Sequence, residues 1–215
     1  MIITVDGYDG TGKTTLAKKI AERFDFIYVE KPFIHMIKEQ QGCTYEEAKK
    51  IAEQQEAIIW QKPRDLRRIT KYYLDAFIWL KKYQQEYNII MDRGLLTTYA
   101  VVGEQTTEDL FDFYVDMGCF FDGSIYLTAD DYERVRRIYN NDPNDPDLKY
   151  PVKWRENNLE EYAQTRGLNY HPISTDHKTA DEVFEEAIPI VERLITPDLP
   201  TLVKRPEPIK KRLFE

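Results

Sequence analysis

The chain has 215 residues, 42% of them hydrophobic, and a formal net charge of −8; at that length roughly 70% of the unfolded chain's surface can be buried, enough for one self-sufficient α/β core. Acidic and basic residues are interspersed rather than blocked, and the chain lacks the Lys/Arg surplus that a phosphodiester backbone requires, which argues against nucleic acid as the main partner but leaves room for a local basic pocket around a small phosphate. Cys43 and Cys119 show no CxxC or Cys/His spacing, "MIITVD" lacks the basic start and apolar run of a signal peptide, and no stretch reaches eighteen apolar residues, so a cytoplasmic protein without a structural metal site or a membrane span is expected.

In chain order, "IITVD" (2–6) is short, apolar and β-branched, as a buried strand requires. A glycine loop follows, then "KTTLAKKIAERF", where Leu16, Ala17, Ile20 and Phe24 fall at helical spacing. "FIYV" (26–29) predicts a second strand ending at Glu30. Thr44 and Glu47 form a capping box for a helix through Ile59. A longer helix after Pro63 sets Leu66, Ile69, Tyr73, Phe77 and Leu80 on one face. "NIIMD" (88–92) predicts a third strand, followed by a helical region to about Met117, and "SIYLT" (124–128) a fourth. The charged stretch from Asp130 to Arg166 contains "NNDPNDPD", turn-rich and irregular. "YHPIST" (170–175) predicts a last strand despite its proline. Thr179 and Glu182 cap a final helix with Val183, Ala187, Val191 and Leu194 inward. The segment 196–215 carries four prolines and predicts an extended tail after a domain spanning 1–195.

Strands alternate with helices and no connection reads as a tight hairpin, which implies βαβ crossovers and a parallel sheet with ligands at the carboxyl ends of its strands. Asp6, Glu30, Asp92 and Thr128 all fall at or just after such ends. "GYDGTGKT" (7–14) satisfies G-x-x-x-x-G-K-[ST] between a buried strand and a helix. Gly7, Gly10 and Gly12 let the backbone curl so that the N–H groups around Asp9, Thr11, Lys13, Thr14 and Thr15 point at a phosphate, and the helix start aims its positive end at the same place. Lys13 is expected to reach the β- and γ-phosphates of ATP, and the Thr14 hydroxyl to ligate Mg²⁺.

"DGYDGTGKTT" resembles the phosphate loop of the thymidylate kinase and deoxynucleoside kinase family of P-loop kinases. The resemblance implies a five-stranded parallel sheet flanked by helices with an Arg-bearing lid, and it sets Asp9 near the sugar 3′-hydroxyl of an acceptor nucleotide. "MDRG" (91–94) is similar to the Asp-Arg or Glu-Arg pair that ends the third strand in that family. A carboxylate there suits an Mg²⁺-bound water or a hydroxyl proton, so Asp92 is a candidate metal and catalytic group, and the guanidinium of Arg93 suits an acceptor phosphate. "IYLTADDYERVRRI" (125–138) resembles the fourth strand and lid helix. Arg134 and Arg137, three apart, share a helical face from which they would reach the triphosphate, while Arg136 points elsewhere. A lid over about 134–155 follows, with a solvated charged helix as its rival reading.

The departures concern the acceptor. Where the family reads Arg-Glu-Pro or Glu-Pro, this chain reads "VEKPF" (29–33), so Glu30 is either the base of a nucleoside kinase displaced by one residue or a strand-end carboxylate. Phe33, Trp60, Tyr72 and Tyr99 are candidates to stack a base, with core packing as the rival reading of the same aromatics, and Lys71, ahead of Arg67 and Arg68, to grip the acceptor. The resulting expectation is ATP- and Mg²⁺-dependent phosphoryl transfer to a nucleoside monophosphate, a deoxynucleotide such as dTMP foremost. A deoxynucleoside kinase and a nucleotide-binding regulatory protein with slow hydrolysis are the alternatives. A homodimer through Leu110, Phe111, Tyr114 and Val115 competes with core packing of the same residues.

Overall fold

Six consecutive buried residues, Ile2–Gly7, form β1, and their alternation decides the rest of the architecture. Ile2 faces one layer of core with Val29, Ile34, Leu80 and Ile89, while Ile3 and Val5 face the other with Leu16, Ile20, Ile125 and Val191. A strand buried on both faces belongs at the centre of a parallel sheet. In the computed structural model, which describes residues 1–59, 75–76, 78–94, 96–97, 121–145, 148, 159–165 and 167–196, it does.

After β1 come α1 (Lys13–Phe24), β2 (Ile27–Val29), α2 (Pro32–Gln41), α3 (Tyr45–Ile59), β3 (Ile89–Asp92), β4 (Gly123–Thr128), α4 (Asp131–Asn141), α5 (Leu159–Thr165), β5 (Tyr170–Ser174) and α6 (Ala180–Ile195). The sheet has five strands in the order β2-β3-β1-β4-β5, and every pairing is parallel. The chain leaves β1 for one side of the sheet and later returns to the other side at β4. The crevice at the carboxyl end of β1 is therefore a topological switch point, where ligands of such sheets bind. The expected five-stranded P-loop fold is what the chain adopts.

Capping chemistry sets several boundaries. Glu47 and Thr44 exchange bonds ahead of α3, and Thr179 with Glu182 forms the full capping box of α6. Two helices lie beyond what the sequence pattern predicts. Helix α2 begins at Pro32, whose fixed φ suits a first turn, and ends on Gly42 at φ 61; its Phe33, Ile34 and Ile37 are core residues. Phe33, expected as a base-stacking side chain, is 5% exposed in the layer that holds Val29, Trp79 and Met91, because the helical turn after Pro32 points it at the sheet. Helix α5 lies within the charged stretch, with Leu159, Tyr162 and Ala163 buried against Leu96 and Tyr126. Pro172 is tolerated because β5 is an edge strand of the described sheet, bonded to β4. Lys71, Trp60, Tyr72, Tyr99, the 110–115 patch, most of the helix after Pro63, the lid beyond residue 148 and the tail from 197 lie outside the described residues. Among the described residues no helix is long and apolar enough to cross a membrane.

Asp6, at the end of β1, is fully buried and held by uncharged donors. Its Oδ1 accepts from Gly94 N at 2.7 Å, Thr97 N at 2.8 Å and Thr97 Oγ1 at 2.6 Å. Its Oδ2 accepts from Thr4 Oγ1 at 2.6 Å and Ser124 Oγ at 2.7 Å. The carboxylate thus ties the central strand to β4 and to the turn after β3. Asp6→Ala would orphan these donors in a dry interior and should destabilise the fold by about 3 kcal/mol or more, a fall of roughly 6–12 °C in melting temperature for a chain of this size. Asp6→Asn, which keeps one acceptor oxygen, should lose less. Calorimetric melting of the two variants checks both.

Candidate functional site

The loop between β1 and α1 is wrapped so tightly that two of its glycines have no substitute. A Cβ on Gly7, at φ 134, would sit 2.3 Å from the Leu127 carbonyl oxygen, and one on Gly10, at φ 82, would sit 2.8 Å from the Arg134 carbonyl oxygen. The first contact lets β4 run alongside the loop. The second lets α4 rest on top of it. Between loop, α4 and the start of α6 lies a cavity of about 570 Å³, lined by residues 9–16 and Arg93, by α4, and by Thr175, Lys178, Thr179 and Ala180.

Lys13 is 5% exposed. Its ammonium folds back onto the loop, donating to Tyr8 O at 2.5 Å and lying 3.5 Å from Asp9 Oδ1. Burial, reinforced by the nearby Arg93 charge, pushes the Lys13 pKa down to about 8 even though Asp9 and Asp92 pull the other way. Burial also opposes ionisation of Asp9, but the Arg93 and Lys13 charges outweigh it and hold that carboxyl below its usual value.

Parallel pairing sets Asp92 opposite Val5, and Arg93 N donates to Val5 O at 3.0 Å. The Asp-Arg pair is thereby locked beside the loop. Asp92 Oδ2 accepts from Thr14 Oγ1 at 2.5 Å and from the Tyr28 hydroxyl at 3.4 Å. Its Oδ1 is buried and has no hydrogen-bond partner among the described residues. An uncompensated carboxylate oxygen beside the Thr14 hydroxyl is the donor set a hard divalent cation would complete. Among the described residues no group of three or more His, Cys, Asp or Glu could hold a metal, so such an ion would take its remaining oxygens from a ligand and water. Arg93 has φ 81, a left-handed backbone unusual for a side chain of its size, and its Nη2 donates to Asp9 Oδ1 at 2.6 Å.

Glu30 is drawn toward α3. It accepts from Tyr45 OH at 2.9 Å and from Lys49 Nζ at 2.9 Å. Burial raises its pKa, but the bonds from Lys49 and Tyr45 win and hold it below the usual value. Helix α4 starts on an Asp130 cap and carries three arginines that meet the site in different ways. Arg134 stacks its guanidinium 4.4 Å over the Tyr8 ring and donates to Asp9 O at 3.1 Å. Arg137 donates to Gly10 O at 3.4 Å and to Thr175 Oγ1 at 2.9 Å. Arg136, expected to point away, lines the cavity together with Arg137 and Glu133, while Arg134 does not. Glu133 holds both cavity-facing arginines, and its bonds from Arg136 and then Arg137 lower its pKa to about 2. The spacing of Arg134 and Arg137 signals their shared approach to the loop; nothing in the sequence signals that Glu133 turns Arg136 inward.

The family model described as an AAA domain matches residues 3–164 of the chain. Among solved structures, a thymidylate kinase from Ehrlichia chaffeensis aligns with a TM-score of 0.56 at 18% identity, over 89% of this chain and 98% of the other. The YorR protein from Bacillus subtilis, solved in complex with phosphorylated GDP, aligns with a TM-score of 0.52 at 18% identity, over 89% and 96%. At that identity the likeness is one of fold. No curated protein sequence matches the chain.

The low Lys13 pKa has a measurable consequence. Below pH 8 the cation is already present in the empty protein; above it, binding a polyphosphate must take up a proton. Affinity for a nucleoside triphosphate should therefore fall about tenfold from pH 7 to pH 9, with proton uptake visible in calorimetric titrations run in buffers of different ionisation enthalpy. A flat profile would remove Lys13 from the phosphate contact.

Proposed function

The chain belongs to the AAA domain family, and on that premise we propose that it transfers the terminal phosphoryl group of ATP to a nucleoside monophosphate, with a deoxynucleotide such as dTMP as the leading acceptor. One observation carries this reading: Thr14–Asp92 and Asp9–Arg93 stand side by side at the mouth of the phosphate loop. In this reading Lys13 leaves the Tyr8 carbonyl for the β- and γ-phosphates, and the loop N–H groups and the positive end of α1 hold the phosphates between them. Thr14 and Asp92 would hold Mg²⁺, which when bound neutralises charge on the transferring phosphoryl group. Asp9 braces the Arg93 guanidinium, whose planar fork grips the acceptor phosphate and aligns it for in-line transfer. The two structural relatives, a thymidylate kinase and a protein solved with phosphorylated GDP, support a nucleotide as acceptor and put both thymine and guanine in the screen.

The nucleoside-kinase alternative would need Glu30 as a base. Its bonds to Lys49 and Tyr45 and its lowered pKa make it a weak one. A regulatory protein with slow hydrolysis would bind the same triphosphate and ignore every acceptor.

Coupled ADP-release assays across common nucleosides and monophosphates separate the three. ADP release is expected only with a monophosphate present. Lys13→Ala should cost at least about tenfold in turnover, roughly 1.4 kcal/mol of barrier. Asp92→Asn should lower turnover at every acceptor concentration. Arg93→Lys keeps the charge but loses the fork, so monophosphate turnover should drop about tenfold or more while ATP still binds. Unchanged monophosphate kinetics in Arg93→Lys would transfer the case to the nucleoside kinase, and release independent of any acceptor to the regulatory reading.

A further inference from the structure

Two arginines of α4 face the cavity, and a count of their donors separates them. A guanidinium carries five N–H groups and cannot be deprotonated. Arg137 gives its Nε–H to Glu133 Oε1 at 2.8 Å, its Nη1 hydrogens to Thr175 Oγ1 at 2.9 Å and Gly10 O at 3.4 Å, and one Nη2 hydrogen to Thr175 O at 2.8 Å. Four of five are committed to protein. The anchoring residue is itself fixed: Thr175 is 2% exposed, and its hydroxyl donates to Thr128 O at 3.1 Å. Arg137 is thus a staple that fastens α4 to the phosphate loop and to the end of β5.

Arg136 is built otherwise. It meets Glu133 side-on, Nε to Oε2 at 2.8 Å and Nη2 to Oε1 at 2.7 Å. Among the described residues that arrangement uses two N–H groups and leaves three, both on Nη1 and one on Nη2, on a side chain that is 52% exposed and lines the cavity. Glu133 fixes the plane of the guanidinium while its free edge stays open. A preorganised fork with a spare edge suits a phosphate, because it gains charge-assisted bonds without giving up the contact that orients it.

We infer that Arg136, held by Glu133, supplies the α4 cation to the terminal phosphate of a bound nucleoside triphosphate, and that Arg137, expected with Arg134 to reach the triphosphate, serves as the staple. The inference rests on triphosphate binding at this cavity but not on the identity of the acceptor. Calorimetric titration of the full chain with Mg²⁺-ATP and Mg²⁺-ADP, beside thermal melting of the empty protein, tests it. Arg136→Gln should weaken ATP at least tenfold and abolish the preference for ATP over ADP, with the melting temperature unchanged. Arg136→Lys should keep part of that preference. Arg137→Gln should lower the melting temperature and weaken both nucleotides together. Equal weakening of ATP and ADP by Arg136→Gln would mean that Arg136 meets the base, the sugar or the inner phosphates, and would overturn the assignment. So would unchanged binding in that variant, a wild-type protein with no preference for ATP, or loss of the preference in Arg137→Gln with melting intact. If Arg137→Gln does not fold, the Arg136 arm decides alone. A selective loss in Arg136→Gln together with no acceptor-dependent ADP release would sustain this inference and sink the kinase reading.

Discussion

A single buried carboxylate organises this molecule. Asp6 sits where β1 ends, where the phosphate loop starts and where β3 and β4 flank it, and it accepts from both neighbours at once. Such a charge, taken fully out of water, is tolerable only when donors saturate its oxygens. Here three hydroxyls and two backbone amides do so. Because those donors come from β1 itself, from β4 and from the turn after β3, the network sets the position of the loop relative to Asp92 and Arg93. The Thr14, Asp92 and Arg93 cluster inherits its geometry from a residue that lines no part of the cavity.

The second organising feature is electrostatic economy. Each cation among the described residues lining the cavity has an acid beside it: Lys13 and Arg93 share Asp9, Arg136 and Arg137 share Glu133, and Lys178 pairs with Glu186. An anion entering meets side chains that are already oriented but whose charge is partly spoken for. Net attraction is moderated and geometry is kept, which favours ligands able to supply several phosphate oxygens at fixed positions over isolated small anions. The fold contributes the same discipline through Gly7 and Gly10, whose missing side chains let β4 and α4 close on the loop.

The fold is readable where its signals are local. Buried apolar runs mark β1, β3 and β4 to within a residue, the shorter and less buried β2 and β5 fall where short apolar stretches stand between turn signals, and Thr44–Glu47 and Thr179–Glu182 mark their helix starts. The phosphate loop is legible for the same reason: loop, strand and helix are contiguous. Helix α2 has a Pro32 start and a Phe33–Ile34–Ile37 stripe, but a stripe that short does not distinguish a helix from an apolar loop until the sheet beneath it is in place. Helix α5 is one short helix in a charged stretch, and only tertiary contact with Leu96 and Tyr126 identifies its apolar side. The site's side-chain partnerships are not legible at all. That Arg93 reaches Asp9, that Glu30 turns to Lys49, and that Glu133 draws Arg136 inward are choices among rotamers, settled by the packing of the whole chain.

The backbone at Arg93 has a consequence for how this protein would respond to selection. A long side chain at φ 81 carries a conformational penalty on the order of 1–2 kcal/mol that glycine, and to a lesser degree asparagine, would escape. A library screened for heat resistance alone would therefore enrich Arg93→Gly or Arg93→Asn, and the survivors would be sturdier proteins stripped of the guanidinium at the mouth of the loop. Arginine in so uncomfortable a conformation marks a position where backbone stability and the guanidinium's place beside Asp9 pull in opposite directions.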